Sequence, residues 1–426
     1  TDPNGDELTI NISYSPDAGI MWHPIASNLE NNGYYNWSTE YMLDGYDYKV
    51  KVEAFDGNST SVDVSKDVFT IYNRRSYEGA PSFHYNAGFS LSEAPNTNKT
   101  AWITEDIGAC PSTSLIVADG KVFVYCYDSV KALDELNGST DLNGSTKPIW
   151  SRRIDKAVYG SWATAAYYDG SVFIASGNRV YRISGKDGEI EWRFRFPDGG
   201  CSVNSGPCVA YGNVYVGSWN KGHYYCLNDS TGEIKWQFPL KGEKKLTTAQ
   251  STPAAHNGMV FFGDFTGGPE SKVFAVDGLT GEEIWNQTVS WSVCDSVTIA
   301  HDKVYFMTYN FCGSGEFYAL GENNGSIVWR HTIARSDSTP AHGYGNIYVC
   351  GGCPGYERCR TYCLNDADGG NETWSVPDWG IWTYSPMVAD KKVFIGKAEG
   401  PGMDSMLSAG MSARKAFTGE EIWRSD

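Results

Sequence analysis

The chain has 426 residues, of which 41% are hydrophobic and 14% aromatic, and its formal net charge is −17. This length favours two domains or one large repeat structure, and the 47 glycines and many aromatic rings favour β structure. The acidic balance, with no basic cluster beyond 73–77 and 241–245, argues against nucleic-acid binding. No apolar run approaches the roughly 18 residues that span a bilayer.

The first segment predicts a small antiparallel β-sandwich over residues 1–73. Its start, "TDPNGDELTI", lacks the basic and apolar regions of a signal peptide and is typical of the end left after one has been removed. Residues 8–72 then alternate apolar and polar positions between turns such as "PDAG", "ENNG" and "FDGN". The expected core residues are Trp22, Trp37, Tyr48, Val50, Val52 and Phe69.

This first segment resembles the fibronectin-type-III-like modules of prokaryotic, notably archaeal, cell-surface proteins. The resemblance is carried by the spacing "S-x-D-x-G-x-x-W…G-x-Y-x-W-x-T…D-G-x-x-Y-x-V-x-V-x-A-x-D-G". The alternating strand "ELTINISYS" is suited to pairing with the sheet edge of a neighbouring molecule. Residues 74–100 are polar and rich in Pro and Gly, which predicts a linker.

Tryptophan recurs through residues 101–426 at intervals of 42 to 49 residues. Each interval predicts four short strands, as in "NVYVGS", "HYYCLN" and "STGEIKW", and this repeat is typical of the blades of an all-β propeller. A four-stranded blade cannot bury both faces alone, so we expect each tryptophan to dock against the next blade and the turn glycine to supply a positive φ. The predicted docking residues are Trp150, Trp192, Trp236, Trp285, Trp329, Trp374 and Trp423.

An eighth tryptophan, Trp102 in "KTAWIT", has no predicted blade of its own. It belongs either to a strand that closes the ring or to a degenerate eighth blade. We therefore predict seven blades, with eight as the alternative.

The repeat resembles the pyrroloquinoline-quinone (PQQ) repeat family, with its "Y-A-L-D…T-G-E-x-x-W" core. The resemblance implies the propeller fold but no particular chemistry, because many members of that family bind no quinone. The family's dehydrogenases carry an adjacent Cys-Cys pair beside the quinone and a Glu/Asn/Asp calcium site. This chain has no Cys-Cys dipeptide, so we do not expect it to bind PQQ.

The sequence contains no recognisable catalytic motif, so we predict no catalytic residue and expect that the protein is not an enzyme. The seven histidines show no H-x-H or H-E-x-x-H spacing, and there is no G-x-S-x-G elbow or P-loop. The segment "NDADGGNET" places Asp366 and Asp368 like a small calcium loop. The favoured interpretation of this segment is nevertheless a solvated turn with a glycan on Asn371, with calcium as the alternative, and we expect no other cofactor.

Two further features indicate an extracellular protein: N-x-S/T sequons, which are N-glycosylation acceptors, and cysteines placed across predicted hairpins. The eleven cysteines suggest the disulfides Cys350–Cys363, Cys353–Cys359, Cys294–Cys312 and Cys110–Cys126. The ten sequon asparagines are Asn11, Asn36, Asn58, Asn98, Asn137, Asn143, Asn228, Asn286, Asn324 and Asn371.

Together these patterns favour a non-catalytic, secreted cell-surface glycoprotein of archaeal type that acts as a structural or interaction module. Its expected partners are further copies of itself, in a filament, sheath or layer, or other surface proteins and glycans. The alternatives are an adhesion or ligand-binding propeller, an envelope assembly scaffold and a quinoprotein-type oxidoreductase.

Overall fold

The computed structural model describes most of the chain as two compact units. Residues 1–75 with 344–346 form one unit, and residues 76–343 with 347–426 form the other. The described residues are 7–15, 19, 22–37, 39, 45–71, 89–90, 94–110, 113–141, 144–157, 164–197, 199–202, 204–293, 296–310, 313–353, 358–377, 379–381, 383–398 and 408–425.

The first unit is an antiparallel sheet of five strands in the order β2-β1-β3-β4, with β5 also pairing with β3. Tyr48 and Ile71 are its most buried apolar side chains, and Val52, expected in the core, is 38% exposed. The likeness to fibronectin modules therefore stays a prediction. The strands are β1 (Thr9–Ser15), β2 (His23–Glu30), β3 (Gly45–Phe55), β4 (Thr60–Val64) and β5 (Phe69–Ile71).

The second unit contains seven four-stranded antiparallel sheets within its described residues, each built from consecutive strands and numbered here as blades 1 to 7. Blade 1 comprises β7 (Ile116–Ala118), β8 (Lys121–Tyr125), β9 (Ser129–Asp134) and β10 (Trp150–Arg153), and blade 2 comprises β11 (Ala166–Tyr168), β12 (Ser171–Ser176), β13 (Arg179–Ser184) and β14 (Ile190–Arg195). Blade 3 comprises β15 (Cys208–Ala210), β16 (Asn213–Ser218), β17 (His223–Asn228) and β18 (Ile234–Phe238). Blade 4 comprises β19 (Ala254–His256), β20 (Met259–Gly263), β21 (Glu270–Asp277) and β22 (Glu283–Ser290).

Blades 5 to 7 follow the same plan, and a short strand from the start of the unit joins the last of them. This strand, β6 (Phe89–Ser90), pairs in parallel with β31. Blade 5 comprises β23 (Thr298–Ala300), β24 (Lys303–Met307), β25 (Ser314–Gly321) and β26 (Ile327–Ala334). Blade 6 comprises β27 (Ala341–Gly343), β28 (Asn346–Gly351), β29 (Arg360–Asn365) and β30 (Asn371–Pro377). Blade 7 comprises β31 (Met387–Ala389), β32 (Lys392–Ala398), β33 (Ser408–Lys415) and β34 (Glu421–Arg424).

The apolar core of the second unit lies between successive blades. The second strand of a blade is buried along its whole length in β12, β16 and β28, whereas the fourth strand alternates, as in β14. Phe123 and Trp150 of blade 1, for example, share one cluster with Ile174 and Tyr181 of blade 2. A blade is therefore stable only with a neighbour on each face, as the sequence pattern predicted.

Helices contribute little to this architecture. In the part of the chain that the structure describes, the only helical element is a 3₁₀ turn at Trp219–Lys221. The described residues also contain no helix long and apolar enough to cross a membrane.

Candidate functional site

Each predicted docking tryptophan joins its own blade to the next one. Its ring lies against an aromatic residue on the second strand of its own blade, as for Trp236 and Tyr215, whose ring centroids are 5.8 Å apart. Its indole Nε1 donates a hydrogen bond to the turn before the fourth strand of the next blade. The acceptors, in order from Trp150 to Trp423, are Gly185 O, Asp229 O, Gly278 O, Glu322 O, Asp366 Oδ1, Ala416 O and Pro95 O, at 2.7–3.1 Å.

The turn glycine has a second role that the sequence analysis missed. Gly281 has a φ of +74°, and a Cβ added there would lie 2.6 Å from Trp236 Cδ2 of the preceding blade. The glycine therefore packs flat against the previous tryptophan, while the tryptophan that follows it in sequence docks onto the next blade. The same contact recurs at Gly138, Gly188, Gly232, Gly325, Gly370 and Gly419, all with φ between +64° and +78°.

Trp102 takes part in the same series. Its Nε1 donates to Glu135 O in blade 1 at 2.9 Å, and its ring covers Gly138. Pro95 accepts from Trp423 and precedes Trp102 by seven residues, the same separation as Gly185 from Trp192. The described residues thus contain eight indole-to-turn contacts in a closed series, and the segment 94–102 supplies the eighth.

Two consecutive blade junctions contain buried carboxylates. Between blades 4 and 5, Glu322 Oε1 lies 2.7 Å from His256 Nδ1 and accepts a hydrogen bond from Asn257 Nδ2 at 3.1 Å. The Glu322 side chain is fully buried. Other blades have Gly185, Gly278 or Ala416 at the equivalent turn position, where no side chain has to be desolvated.

Between blades 5 and 6, Asp366 is the buried carboxylate. Its Oδ1 accepts from Trp329 Nε1 at 3.1 Å and its Oδ2 from Lys303 Nζ at 2.8 Å. Burial alone would raise the pKa of Asp366, but electrostatic interactions with His342 and Lys303, the hydrogen bond from Lys303 and the nearby Tyr305 hydroxyl outweigh burial and lower it. Burial and the Asp366 carboxylate in turn raise the pKa of Tyr305 well above its usual value.

This placement of Asp366 contradicts the calcium alternative for this segment. The Asp366 side chain turns inward to Lys303 and Trp329, whereas Asp368 is exposed and accepts a hydrogen bond from Asn371 Nδ2 at 3.1 Å. The two carboxylates therefore have different partners and do not form the predicted site. The sequence pattern showed the spacing of the acids but not the direction in which each one points.

The predicted disulfides of blade 6 are also corrected, because the cysteines there are thiols in the structure. Cys350 Sγ lies 3.4 Å from Thr361 Oγ1, so β28 and β29 are offset by two residues from the register that would place Cys350 opposite Cys363. Cys359 Sγ donates to Gly352 O at 3.5 Å, and no bridge joins Cys353 to Cys359 in the structure.

The cysteines of the other described pair, Cys110 and Cys126 in blade 1, are offset from each other by one residue. Cys110 N donates to Tyr125 O at 2.8 Å, and its side chain joins the cluster of Phe123. Cys126, the next residue after Tyr125, packs in a different cluster with Val124, because neighbouring residues on a strand face opposite sides. The remaining pair, Cys294 with Cys312, lies outside the described residues.

Most of the predicted glycan acceptors lie at the surface. Asn11 and Asn228 are half-buried, and Asn143 lies outside the described residues. Asn228 Oδ1 accepts from the backbone N–H groups of Ser230 and Thr231, which is the turn-capping role of Asp277 in the next blade. The exposed sequon asparagines are Asn36, Asn58, Asn98, Asn137, Asn286, Asn324 and Asn371.

The four-stranded sheets and the series of tryptophan contacts define a β-propeller built from quinoprotein-type repeats. A family model, PQQ_2, described as outer membrane protein assembly factor BamB, matches residues 128–310 and 271–426. The chain therefore belongs to this family. BamB from Yersinia pestis is 26% identical over 309 residues, which cover 68% of this chain and 71% of that protein.

Solved structures support the same fold. BamB from Moraxella catarrhalis superposes with a TM-score of 0.51 at 16% identity, covering 70% of this chain and 83% of that one. Quinohemoprotein alcohol dehydrogenase from Comamonas testosteroni gives a TM-score of 0.54 at 14% identity, covering 74% and 66%. At these identities the likeness shows the fold alone.

Proposed function

We propose that this protein is a non-catalytic scaffold of a cell surface, that it carries N-linked glycans, and that it assembles with further copies of itself through its first unit. The observation that carries the proposal is the exposure of seven predicted glycan acceptors on both units. Glycans at these positions are compatible with the fold because no core residue has to move. A rigid ring of blades linked by tryptophans then serves as the platform.

The surface of the first unit supports assembly by strand pairing. β1, which lies within the strand expected to pair with a neighbour, is hydrogen-bonded to β2 on one side and β3 on the other, so that expectation was wrong for β1. β4 is an edge strand whose five residues are all exposed. Its register with β3 places Val62 and Val64 on the same face as Phe55, and these three side chains are 52%, 38% and 42% exposed. An exposed apolar edge strand is a template for pairing with another chain. A neighbouring copy supplies that strand in our proposal.

Glycopeptide mass spectrometry of protein from its native cells tests the glycan part. We expect sugar on exposed sites such as Asn137 and Asn324, and lower occupancy at the half-buried Asn228. The Asn228→Asp variant is a matched control, since an aspartate keeps the turn cap but cannot be glycosylated. Unmodified asparagine at every sequon would contradict this part of the proposal.

Light scattering of glycosylated variants tests the assembly part. Val62→Lys places a charge on the β4 edge and should reduce the assembled fraction at least severalfold. Val68→Lys is the control, because Val68 is 43% exposed but lies outside the strand. Equal assembly of both variants, or monomers only for the parent protein, would be evidence against strand pairing through β4.

A second candidate is a scaffold for protein assembly at an envelope, and the family match favours it. The BamB proteins that this chain resembles are outer membrane protein assembly factors. Crosslinking in native cells separates the two functions: further copies of this chain are expected partners for a surface scaffold, and envelope proteins for an assembly factor. A quinoprotein oxidoreductase predicts instead a quinone absorbance band and dye reduction after PQQ and calcium are added.

A further inference from the structure

The junction between blades 5 and 6 differs from the others in the series of tryptophan contacts. Trp329 donates to the Asp366 side chain, whereas the other docking tryptophans of the described residues donate to a backbone carbonyl. Asp366 is 3% exposed. A buried charge costs free energy unless it is paired or coordinates a metal, so a carboxylate at this repeat position calls for a specific partner.

Two histidines converge on this carboxylate from different elements. His301 lies in the turn between β23 and β24, His342 on β27, and Asp366 in the turn after β29. One potential ligand atom from each residue lies within 4.8 Å of the other two. The imidazole rings meet edge to face with centroids 4.5 Å apart, and the Tyr305 ring stacks on His342 at 5.8 Å.

The donor set selects the class of ion. Two imidazole nitrogens and one carboxylate oxygen suit zinc and other first-row transition metals, whereas calcium takes six to eight oxygen ligands. Bonds of about 2.1 Å in a tetrahedral site place ligand atoms roughly 3.4 Å apart. Closing the site therefore requires ligand atoms now up to 4.8 Å apart to approach by up to about 1.4 Å, and a fourth position is left for water.

Lys303 is the competing cation. Its ammonium lies 2.8 Å from Asp366 Oδ2, and its side chain is 19% exposed. An ion pair between Lys303 and Asp366 explains how the carboxylate is neutralised without metal. The ion pair leaves two histidine ring nitrogens within 4.8 Å of that carboxylate as candidate ligands. Because the lysine reaches solvent, its charged end can move outward when another cation takes its place.

The geometry points to a transition-metal site of the zinc class formed by His301, His342 and Asp366, which clamps blade 5 to blade 6 and displaces Lys303 from Asp366. Since its ligands come from two blades, the bound ion stabilises the folded ring by mass action. Nothing in this inference depends on the proposed surface function.

Calorimetric titration of the chelator-treated full chain with Zn²⁺ tests the site. We expect one ion per chain, a rise in the unfolding temperature on binding, and no comparable binding of Ca²⁺. His342→Ala and Asp366→Asn should each weaken Zn²⁺ binding by about 100-fold, the scale on which changes around a metal alter affinity. His331→Ala, in blade 5 with His301 but outside the cluster, should leave the affinity unchanged.

Lys303→Met distinguishes a metal site from a purely structural ion-pair network, and it does not require the ligand variants to fold. Removing the competing ammonium should tighten Zn²⁺ binding by about tenfold, which corresponds to about 1.4 kcal/mol. Co²⁺ should give the visible absorption of a four-coordinate site in the parent chain and in this variant. The proposal is overturned if the parent chain binds no stoichiometric Zn²⁺, if Lys303→Met binds it no more tightly, or if His331→Ala weakens it as much as His342→Ala.

Discussion

Replacing the turn glycine of blade 4 by alanine tests how the blades are joined. The Gly281→Ala variant introduces two costs. An alanine at a φ of +74° costs about 1–2 kcal/mol of backbone strain. Its Cβ would also lie 2.6 Å from Trp236 Cδ2, and the indole cannot simply swing away because its Nε1 is bonded to Gly278 O. Overpacking of this kind costs about 1–3 kcal/mol.

Gly258→Ala in the same blade is the matched control. Gly258 has a φ of +77°, but a Cβ added there would meet nothing within 4 Å. It therefore carries the backbone cost alone. We expect Gly281→Ala to lower the free energy of unfolding by about 1–3 kcal/mol more than Gly258→Ala does.

Urea unfolding followed by tryptophan fluorescence measures the difference, and a double-mutant cycle assigns it to the contact. In a Trp236→Leu background the clash is relieved, so Gly281→Ala should cost no more than Gly258→Ala. Equal costs for the two glycine variants in the parent background would refute the claim that glycine is required for contact with the preceding tryptophan.

Three further predictions concern single sites. Trp192→Phe loses a 2.7 Å hydrogen bond to the next blade and should lower the free energy of unfolding by about 1 kcal/mol, measured in urea. Burial raises the pKa of Asp264 despite the hydrogen bond from Thr247 N, so Asp264→Asn should be more stable than the parent at pH 7. That gain in stability should vanish below the unfolded-state pKa of about 3.9. Thermal unfolding of both proteins across pH measures it, and a gain that grew at low pH would contradict the prediction. Burial raises the pKa of Cys350 and Cys363 to about 12. Both thiols should therefore react with iodoacetamide only after the protein is unfolded, and no reductant should be needed. Reaction in the native state, or a need for reductant, would be inconsistent with buried thiols.

The repeat itself was predictable because each blade repeats the same physical solution. Trp150 and Trp423 stand at positions fixed by regular spacing, and a blade with two apolar faces needs such a wedge. The second role of Gly281 was not predictable in the same way. Its contact, Trp236, is 45 residues earlier in the chain, and the apparent partner in the motif, Trp285, docks elsewhere.

Registers and side-chain directions were the least predictable features. A symmetric hairpin places Cys350 opposite Cys363, but the pairing of β28 with β29 is shifted by two residues and places Thr361 there instead. The acid at position 366 was not a distinguishing signal in the sequence, because aligning the repeats shows acids at this turn in blades 1, 3 and 5 as well (Glu135, Asp229 and Glu322).

Cryo-electron microscopy of the protein as shed from its native cells tests the central claim most directly. The proposed scaffold predicts ordered filaments or sheets in which the first unit of one copy pairs with a neighbour, with sugar density on exposed sites such as Asn137 and Asn324. Isolated propeller particles with bare asparagines at these positions would contradict it.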